Sequence, residues 1–255
     1  MNRTALITGA SGGIGLELTK IFAKEKYSLV LLARREEKLK EIAKELHEKY
    51  HINIFVLSKD LSDPNSPKEI KKELKENNIQ IDILVNNAGF GNAGKFVKND
   101  IEKELNMIQV NIASLTELTH LFLPEMIKNK YGKILNVAST AAFQPVPMLN
   151  AYSATKSYVL HFTEALGNEL IGTGVTTTAL CPGPTPTNFA IRSKLGEIGS
   201  DKAPGAKEVA EAGYTALMKG KPVIVVGIKN KFMTFLTKIT PRSLVVKITG
   251  KLMQK

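Results

Sequence analysis

Cysteine is nearly absent from this chain of 255 residues, in which Cys181 stands alone. A single cysteine excludes an internal disulfide and is typical of a reducing compartment. Long apolar runs are also missing, since runs such as Ile54–Leu57 and Val223–Ile228 are far too short to cross a bilayer. The N-terminal residues enter a strand-like run directly, without the pattern of a signal peptide. We therefore expect a cytoplasmic protein.

Acidic residues are missing from the last segment, 229–255, which holds seven Lys and Arg residues. The net charge of the chain is +11, so the rest carries only about +4 (11 minus 7). This distribution does not indicate a nucleic-acid-binding face, which would need a basic patch on the folded body. Pro241 divides the apolar residues of the tail into two possible amphipathic helices. We favour packing of these helices on the body or a partner subunit over contact with a membrane surface.

Segments with strand-like and helical apolar spacing alternate about seven times along the chain. This alternation predicts an α/β fold, a doubly wound parallel sheet of about seven strands with helices on both faces. No internal repeat or low-complexity linker interrupts the pattern. We therefore predict one domain over 1–228, followed by a basic amphipathic extension over 229–255.

A glycine-rich turn follows the first predicted strand, Thr4–Thr8, and precedes the first helix. Glycines at such a junction let a pyrophosphate approach the backbone and bind at the helix N-terminus. A tight turn without a ligand is the alternative, but the position at the first strand–helix junction favours a dinucleotide. The predicted contacts are Gly9, Ser11, Gly12, Gly13, Ile14 and Gly15.

Two arginines follow the second predicted strand, Ser28–Leu32. An acid at this point would bind the ribose of NAD, whereas a guanidinium can bind the 2′-phosphate of NADP. Arg34 and Arg35 therefore favour NADP(H) over NAD(H). Arg35 could instead simply begin the charged helix Glu36–Tyr50.

Small or polar residues follow the later predicted strands, and parallel strands end at one edge of a sheet. Asp60 would meet the adenine ring there, unless it only caps a turn. Small residues at the other strand ends would let a cofactor lie against the backbone. The predicted cofactor contacts at these strand ends are Asp60, Leu61, Asn87, Ala88 and Gly89.

Tyr152 and Lys156 share one face of a helix predicted over 150–170. A neighbouring ammonium favours a phenolate, which makes Tyr152 a candidate acid/base. Ser139 ends the fifth predicted strand thirteen residues upstream. Asn111 lies among apolar residues of a long helix predicted over about 100–129. A buried asparagine needs hydrogen-bond partners, so Asn111 is either a structural hydrogen-bond hub or part of a proton path.

His47, Glu48 and His51 formally match a zinc-protease pattern of two ligands and a base. The next predicted strand begins directly afterwards, which places His51 beyond the end of its helix. We therefore reject a zinc site and expect no metal.

Taken together, these motifs resemble the short-chain dehydrogenase/reductase family. The resemblance covers about residues 3–227 and rests on four motifs in the order of the family. It implies a single-domain Rossmann fold and a homodimer or homotetramer. The motifs begin at Thr8, Asn86, Ser139 and Pro182.

The resemblance implies catalytic roles for four residues. Tyr152 would be the acid/base, and Ser139 would hydrogen-bond the substrate oxygen. Lys156 would bind the nicotinamide ribose and lower the pKa of Tyr152. Asn111 would hold a water molecule that leads protons to the lysine.

The resemblance also implies cofactor contacts. Pro182, Gly183 and Thr187 would contact the cofactor, with Thr187 at the carboxamide. Asp60 would hold the adenine, and Arg34 corresponds to the basic residue that follows strand two in the family. Gly12 departs from the pattern, because many NADP-using members have a basic residue there. The phosphate contact would then depend on Arg34 and Arg35 alone.

The segment between Ser139 and Tyr152 is largely apolar and carries no charge. We expect Phe143, Met148 and the later Phe189 to border a lipophilic ketone or aldehyde that is reduced to an alcohol by hydride transfer. One alternative is a 3-oxoacyl-carrier-protein reductase, which shares every motif. Another is a dinucleotide-binding sensor or scaffold that does no chemistry.

Overall fold

Seven parallel strands form one sheet in the computed structural model, which describes residues 3–186 and 204–253. The strands lie in the order β3-β2-β1-β4-β5-β6-β7. The order changes direction between β1 and β4, and folds of this kind bind ligands in the crevice beyond such a point. The predicted doubly wound α/β fold is confirmed. The strands are β1 Thr4–Thr8, β2 Ser28–Ala33, β3 Ile54–Ser58, β4 Ile83–Asn86, β5 Gly132–Val137, β6 Val175–Cys181 and β7 Val223–Val225.

Helices cover both faces of the sheet, as expected for strands joined by crossovers. Short 3₁₀ turns occur at Phe96–Lys98 and Thr140–Phe143. The α-helices are α1 Gly13–Lys24, α2 Glu36–Tyr50, α3 Ser66–Glu76, α4 Ile101–Ile108, α5 Leu115–Lys128, α6 Asn150–Glu169, α7 Ala206–Met218, α8 Ile228–Ile239 and α9 Arg242–Leu252.

The buried strand β1 shows how the core is divided between the two faces. Ile7 packs in a cluster with Leu18 and Phe22 of α1, whereas Leu6 packs in a second cluster with Phe122 of α5. Successive side chains of a strand point to opposite faces, so both faces of β1 need apolar residues. This requirement explains why the strand is a continuous apolar run.

The long helix expected over about 100–129 is interrupted. A π-helical turn, Gln109–Ser114, separates α4 from α5 and contains Asn111. Such turns are rare and occur frequently at functional sites. The apolar periodicity is helical on both sides of the turn and therefore gives no signal for it.

His51 lies just past the end of α2 in a left-handed conformation, with φ 52°. Its backbone N–H donates to the His47 carbonyl oxygen and so caps the helix, while His47 Nδ1 lies 2.8 Å from the carbonyl oxygen of Ile52. Among residues 3–186 and 204–253, no group of three His, Cys, Asp or Glu residues could hold a metal ion. In the same part of the chain, every helix is too short or too polar to cross a membrane.

Candidate active site

A cavity of about 650 Å³ lies beyond the carboxyl ends of the central strands. One end is bordered by Arg34 and Asp60, and the other by Ser139, Tyr152 and Lys156. The structure thus brings most of the sequence-predicted residues into one site. Those that line the cavity are Gly9, Ser11, Gly12, Gly13, Ile14, Arg34, Arg35, Asp60, Leu61, Asn87, Ala88, Gly89, Ser139, Tyr152, Lys156, Pro182 and Gly183.

The glycine turn between β1 and α1 has two distinct functions. A side chain at Gly15 would collide with the carbonyl oxygen of Gly9, so the glycine allows α1 to pack closely against the turn. Gly15 is not among the residues that line the cavity. Gly12 instead faces open space, since a Cβ there would meet, among the described residues, only Arg35 Nη2 at 3.8 Å. The first amide groups of α1 lie behind this space without a side-chain cap. Such a cradle fits a phosphate-bearing group.

Thr8 ties the ends of β1 and β4 together at the crevice. Its Oγ1 accepts hydrogen bonds of 2.9 Å from the backbone N–H groups of both Asn87 and Ala88. The Asn87 side chain in turn donates to the Thr8 carbonyl oxygen at 2.9 Å. These bonds hold the Asn87–Gly89 backbone at the floor of the cavity.

The two arginines lie on different sides of the cavity end. Arg35 Nη2 donates to the carbonyl oxygen of Ser11 at 3.0 Å and to its Oγ at 3.2 Å. Arg35 therefore reaches over the glycine turn, in addition to preceding α2. Arg34 Nη1 lies 3.5 Å from Asp60 Oδ2, and both side chains are exposed.

Asp60 both closes a turn and lines the cavity. Its Oδ1 accepts a 3.0 Å hydrogen bond from the Ser62 backbone N–H. Burial acts to raise the pKa of the Asp60 carboxyl, but the hydrogen bonds from Ser62 and the charge of Arg34 outweigh it and lower the pKa. Asp60 is therefore an anion at neutral pH that partly neutralises Arg34.

Tyr152 lies in the first turn of α6 with only 7% of its surface exposed. Burial raises the pKa of its phenol to about 12, and a hydrogen bond with Ser139 acts in the opposite direction. Ser139 lies two residues beyond the end of β5 and also accepts a 3.1 Å hydrogen bond from the Ala141 N–H. The phenol is therefore protonated at neutral pH and lies next to a fixed hydroxyl.

Lys156 is directed at the end of β5. Its Nζ donates to the Val137 carbonyl oxygen at 2.7 Å and lies 5.9 Å from the centroid of the Tyr152 ring. Burial lowers the pKa of the ammonium to about 8. Among the described residues, burial and the hydrogen bond with Ser139 shift the pKa of Tyr152, and a lowering of that pKa by Lys156 stays a prediction.

Asn111 is a hydrogen-bond hub behind the cavity. Its Nδ2 donates to the Phe90 carbonyl oxygen and to Thr155 Oγ1, both at 3.0 Å, and its Oδ1 accepts from the Phe90 N–H at 3.2 Å. A Cβ at Gly89 would lie 2.9 Å from Asn111 Oδ1 and 3.4 Å from Lys156 Nζ. Asn111 thus fixes the strip of backbone that also faces the lysine.

The predicted substrate contacts need correction. Phe143 packs inward against the cluster that contains Ala142 and Val159, and it does not line the cavity. Met148 occupies a tight turn with φ 68°, where its carbonyl oxygen accepts a bond from Gly94, and it is also absent from the lining. From the same segment, the residues that do line the cavity are Ala141, Gln144, Val146 and Leu149. Thr187 and Phe189 lie outside the described residues.

A wall of the cavity comes from the C-terminal extension, which sequence reasoning did not place there. Met253 follows α9 and packs in a cluster with Met107, Leu149 and Tyr152. Helix α9 is anchored by Thr249 Oγ1, which donates to the Pro145 carbonyl oxygen at 3.0 Å. The apolar spacing of the tail indicates a helix but carries no information about the surface it covers.

Comparisons with known proteins agree with this geometry. Residues 3–197 match the family model described as short chain dehydrogenase. Sulfoacetaldehyde reductase 2 of Chromohalobacter salexigens is 37% identical over 205 residues, which cover 80% of this chain and 81% of that protein.

Two solved structures are also similar. A short-chain dehydrogenase from Sphingobium yanoikuyae in complex with NADPH has a TM-score of 0.84 and 28% identity, with 93% of each chain covered. The bulky-bulky ketone specific alcohol dehydrogenase from Comamonas testosteroni has a TM-score of 0.79 and 26% identity, with 93% of this chain and 92% of that chain covered.

Proposed function

Because this chain belongs to the short-chain dehydrogenase family and is an oxidoreductase, we propose that it reduces lipophilic ketones or aldehydes to alcohols with NADPH. One observation carries the proposal. Tyr152, buried and hydrogen-bonded with Ser139, borders a cavity whose other end is a glycine cradle beside two arginines.

Tyr152 is in the protonation state that carbonyl reduction needs. A phenol whose pKa burial raises to about 12 keeps its proton, so it can donate that proton to a carbonyl oxygen. Ser139 donates a second hydrogen bond to the same oxygen as negative charge develops there, in the manner of an oxyanion hole. Both hydroxyl groups are held by the ends of packed elements, so they need little reorganisation.

The residues around the glycine cradle fit a dinucleotide phosphate, with the adenosine end beside Asp60. The bound nicotinamide would supply the hydride, which this chain cannot provide from its own side chains. Lys156 and Asn87 would hold the nicotinamide ribose, and Thr187 its carboxamide. Asn111 acts through the backbone of Phe90 and the hydroxyl of Thr155, and it would hold the water through which a proton returns to the active site.

Arg35 is the main contact for a 2′-phosphate in this proposal. Arg35→Ser is expected to raise the Kd of NADPH about 10- to 100-fold, because it removes charge-assisted hydrogen bonds. The Kd of NADH should change little, since NADH lacks that phosphate. Fluorescence titration with both cofactors measures the two values. Lys38→Ser, which removes an exposed charge from the first turn of the same helix, is the control, and equal loss of both affinities in Arg35→Ser would contradict the assignment.

The substrate end of the cavity supports a lipophilic substrate. Val146, Leu149 and Met253 line it together with the ring of Tyr152, and no ionised side chain of the described lining other than Lys156 lies in this part. A small anionic substrate would need a cationic partner there, and the ammonium of Lys156 is directed at the Val137 carbonyl oxygen. A bulky apolar carbonyl compound matches this surface best.

Met253 sets the size of this end. Met253→Ala is expected to lower KM for a bulky aryl ketone about 10-fold by enlarging the cavity, and to leave kcat/KM for a small aldehyde nearly unchanged. Steady-state kinetics gives KM and kcat/KM of the variant and of the wild type for each of the two substrates. Met233→Ala removes a methionine that is half exposed on α8 and serves as the control. Equal changes for both substrates would show that Met253 does not border the substrate.

An assay with a carbonyl panel tests the function as a whole. Loss of NADPH absorbance is followed with aryl ketones, acetoacetyl thioesters, sugars and small acids. Turnover of the aryl ketones is the expected result. Turnover of acetoacetyl thioesters alone would favour a 3-oxoacyl-carrier-protein reductase, and NADPH binding without any turnover would favour a sensor.

Self-assembly is part of the proposal. Ile101, Leu105 and Ile108 form an exposed apolar row on α4, at the helical spacing of four and three residues. Charges of both signs, Glu102 and Lys103, lie on the same helix, so two copies can pair there without net repulsion. This face supports a homo-oligomer.

A further inference from the structure

Helix α8 carries its apolar residues on the outside. Ile228, Phe232, Phe235 and Ile239 recur at spacings of four, three and four residues, and all four are exposed. At 3.6 residues per turn, this spacing places them in one narrow row. Thr234, on another side of the helix, is its buried residue. We call the four apolar residues the α8 row.

Basic residues flank the α8 row. At about 100° per residue, Lys229 lies on one side of the row, and Lys231 and Lys238 lie on the other. All three are exposed, and among the described residues no carboxylate pairs with them. Most lysines of α1, α2 and α3 that lie near acids form ion pairs instead, such as Lys20 with Glu17 and Lys38 with Glu41.

Helix α9 repeats this composition. Leu244, Ile248 and Leu252 recur at intervals of four residues and are exposed, whereas Val245 and Thr249 are buried against the body. Lys247 and Lys251 lie beside this exposed row. Since segment 229–255 contains no Asp or Glu, the charges of both helices are all positive.

From this arrangement we propose that α8 and α9 bind the surface of an anionic phospholipid membrane. An amphipathic helix lies in the interface with its apolar residues among the acyl chains, while flanking lysines reach up to the phosphate groups. Each Lys or Arg near such a surface contributes to binding at low ionic strength. The uncharged apolar row therefore matches the acyl-chain layer of such an interface, and the lysines beside it match the layer of phosphate groups.

A second copy of this chain fits the same surface less well. Pairing two α8 rows would bring Lys229, Lys231 and Lys238 of one copy close to the same lysines of the other, without any acid of segment 229–255 to compensate. Like charges at that distance repel. This contrasts with α4, where both signs of charge are present.

The membrane contact would also connect with the cavity. Met253 follows α9 directly and lines the cavity. A carbonyl compound dissolved in the bilayer would therefore meet the protein on the side where its cavity has an apolar wall. This last connection depends on the proposed function, whereas membrane binding itself does not.

Flotation with vesicles tests the proposal on the full chain. Phosphatidylcholine vesicles with phosphatidylglycerol should bind the protein, pure phosphatidylcholine vesicles should bind it much more weakly, and added salt should release it. Ile228→Ser with Phe232→Ser should abolish flotation. Ile171→Ser, which changes an isoleucine exposed to a similar degree on another surface (75% against 84% for Ile228), should leave it intact.

A matched set of charge variants separates the role of these lysines from that of net charge. Changing Lys229, Lys231 and Lys238 to Glu should lower vesicle partitioning at least about 100-fold. The same change at the exposed lysines Lys44, Lys75 and Lys219 alters the net charge equally and should have a much smaller effect.

Three results would overturn the proposal. The first is wild-type protein that fails to float with phosphatidylglycerol vesicles at low salt, and the second is row variants that float as well as the wild type. The third is sedimentation analysis in which the row variants lose oligomers, which would assign the surface to a second copy. Turnover of a water-soluble carbonyl compound with NADPH, measured on the same variants, reports the proposed function separately and should not change.

Discussion

Tyr152→Phe is expected to lower kcat about 10³-fold and to leave the Kd of NADPH nearly unchanged. The phenylalanine keeps the ring in its cluster with Met107, Val146 and Leu149, so the cavity should keep its shape. Only the hydroxyl group is lost, and with it the proton donor and the hydrogen bond with Ser139. Stopped-flow or steady-state kinetics measures kcat, and fluorescence titration measures binding.

Tyr158→Phe is the matched control. Tyr158 lies on the same helix, where its hydroxyl group forms a 3.0 Å hydrogen bond with Thr116 and its ring stacks on Phe162. Losing that hydroxyl group should leave kcat within about two-fold, because surface hydrogen bonds contribute little. If Tyr152→Phe retains full activity, the assignment of the proton donor is wrong.

Lys156→Met is expected to raise the free energy of unfolding by about 2 kcal/mol at about pH 7 while it lowers turnover. Burial lowers the pKa of this lysine from 10.5 to about 8, so the folded chain holds the proton less tightly than the unfolded chain. Below the folded pKa, burying the ammonium therefore costs about 3 kcal/mol. The variant also loses the hydrogen bond to the Val137 carbonyl oxygen, which offsets about 1 kcal/mol of its gain in stability.

The pH dependence gives this prediction a second test. Between pH 8 and 10.5 the unfolded chain binds more protons than the folded chain, so the wild-type protein gains stability as the pH rises through that window. The advantage of Lys156→Met should therefore be largest below the folded pKa and nearly vanish by about pH 10. Urea unfolding at both pH values measures it.

Lys44→Met, at an exposed position of α2, should show no such gain. A Lys156→Met protein that is less stable than the wild type at neutral pH would contradict the argument. It would mean that the hydrogen bond to the end of β5 is worth more than the desolvated charge costs.

The sheet was predictable because its signals are local. Strand β1 was predicted with the observed ends, and α2 likewise, since buried parallel strands are short apolar runs and helices repeat every three to four residues. The residues at the carboxyl ends of the strands could then be grouped into one crevice without any further information. Arg35 and Ser11 are an example, since they are far apart in sequence and bonded in space.

Other features depend on contacts that no local pattern records. The π-helical turn around Asn111 differs from an α-helix only in which carbonyl oxygen each N–H bonds. Phe143 and Met148 were predicted from the apolar character of their segment, but side-chain direction depends on the turns at Thr140–Phe143 and Met148. Helical spacing likewise shows which residues of α9 share a face, and says nothing of the surface that face covers.

The position of Met253 has a practical consequence for work with this protein. Only two residues would separate a purification tag or linker joined after Lys255 from Met253, whose side chain borders the substrate end of the cavity. Such a fusion would report kinetics and substrate preference for an altered site, and it would also change the charge beside α9. Tags and immobilisation chemistry therefore belong at the N-terminal end, because Thr4 begins β1 at the amino ends of the parallel strands, whereas the cavity lies beyond their carboxyl ends.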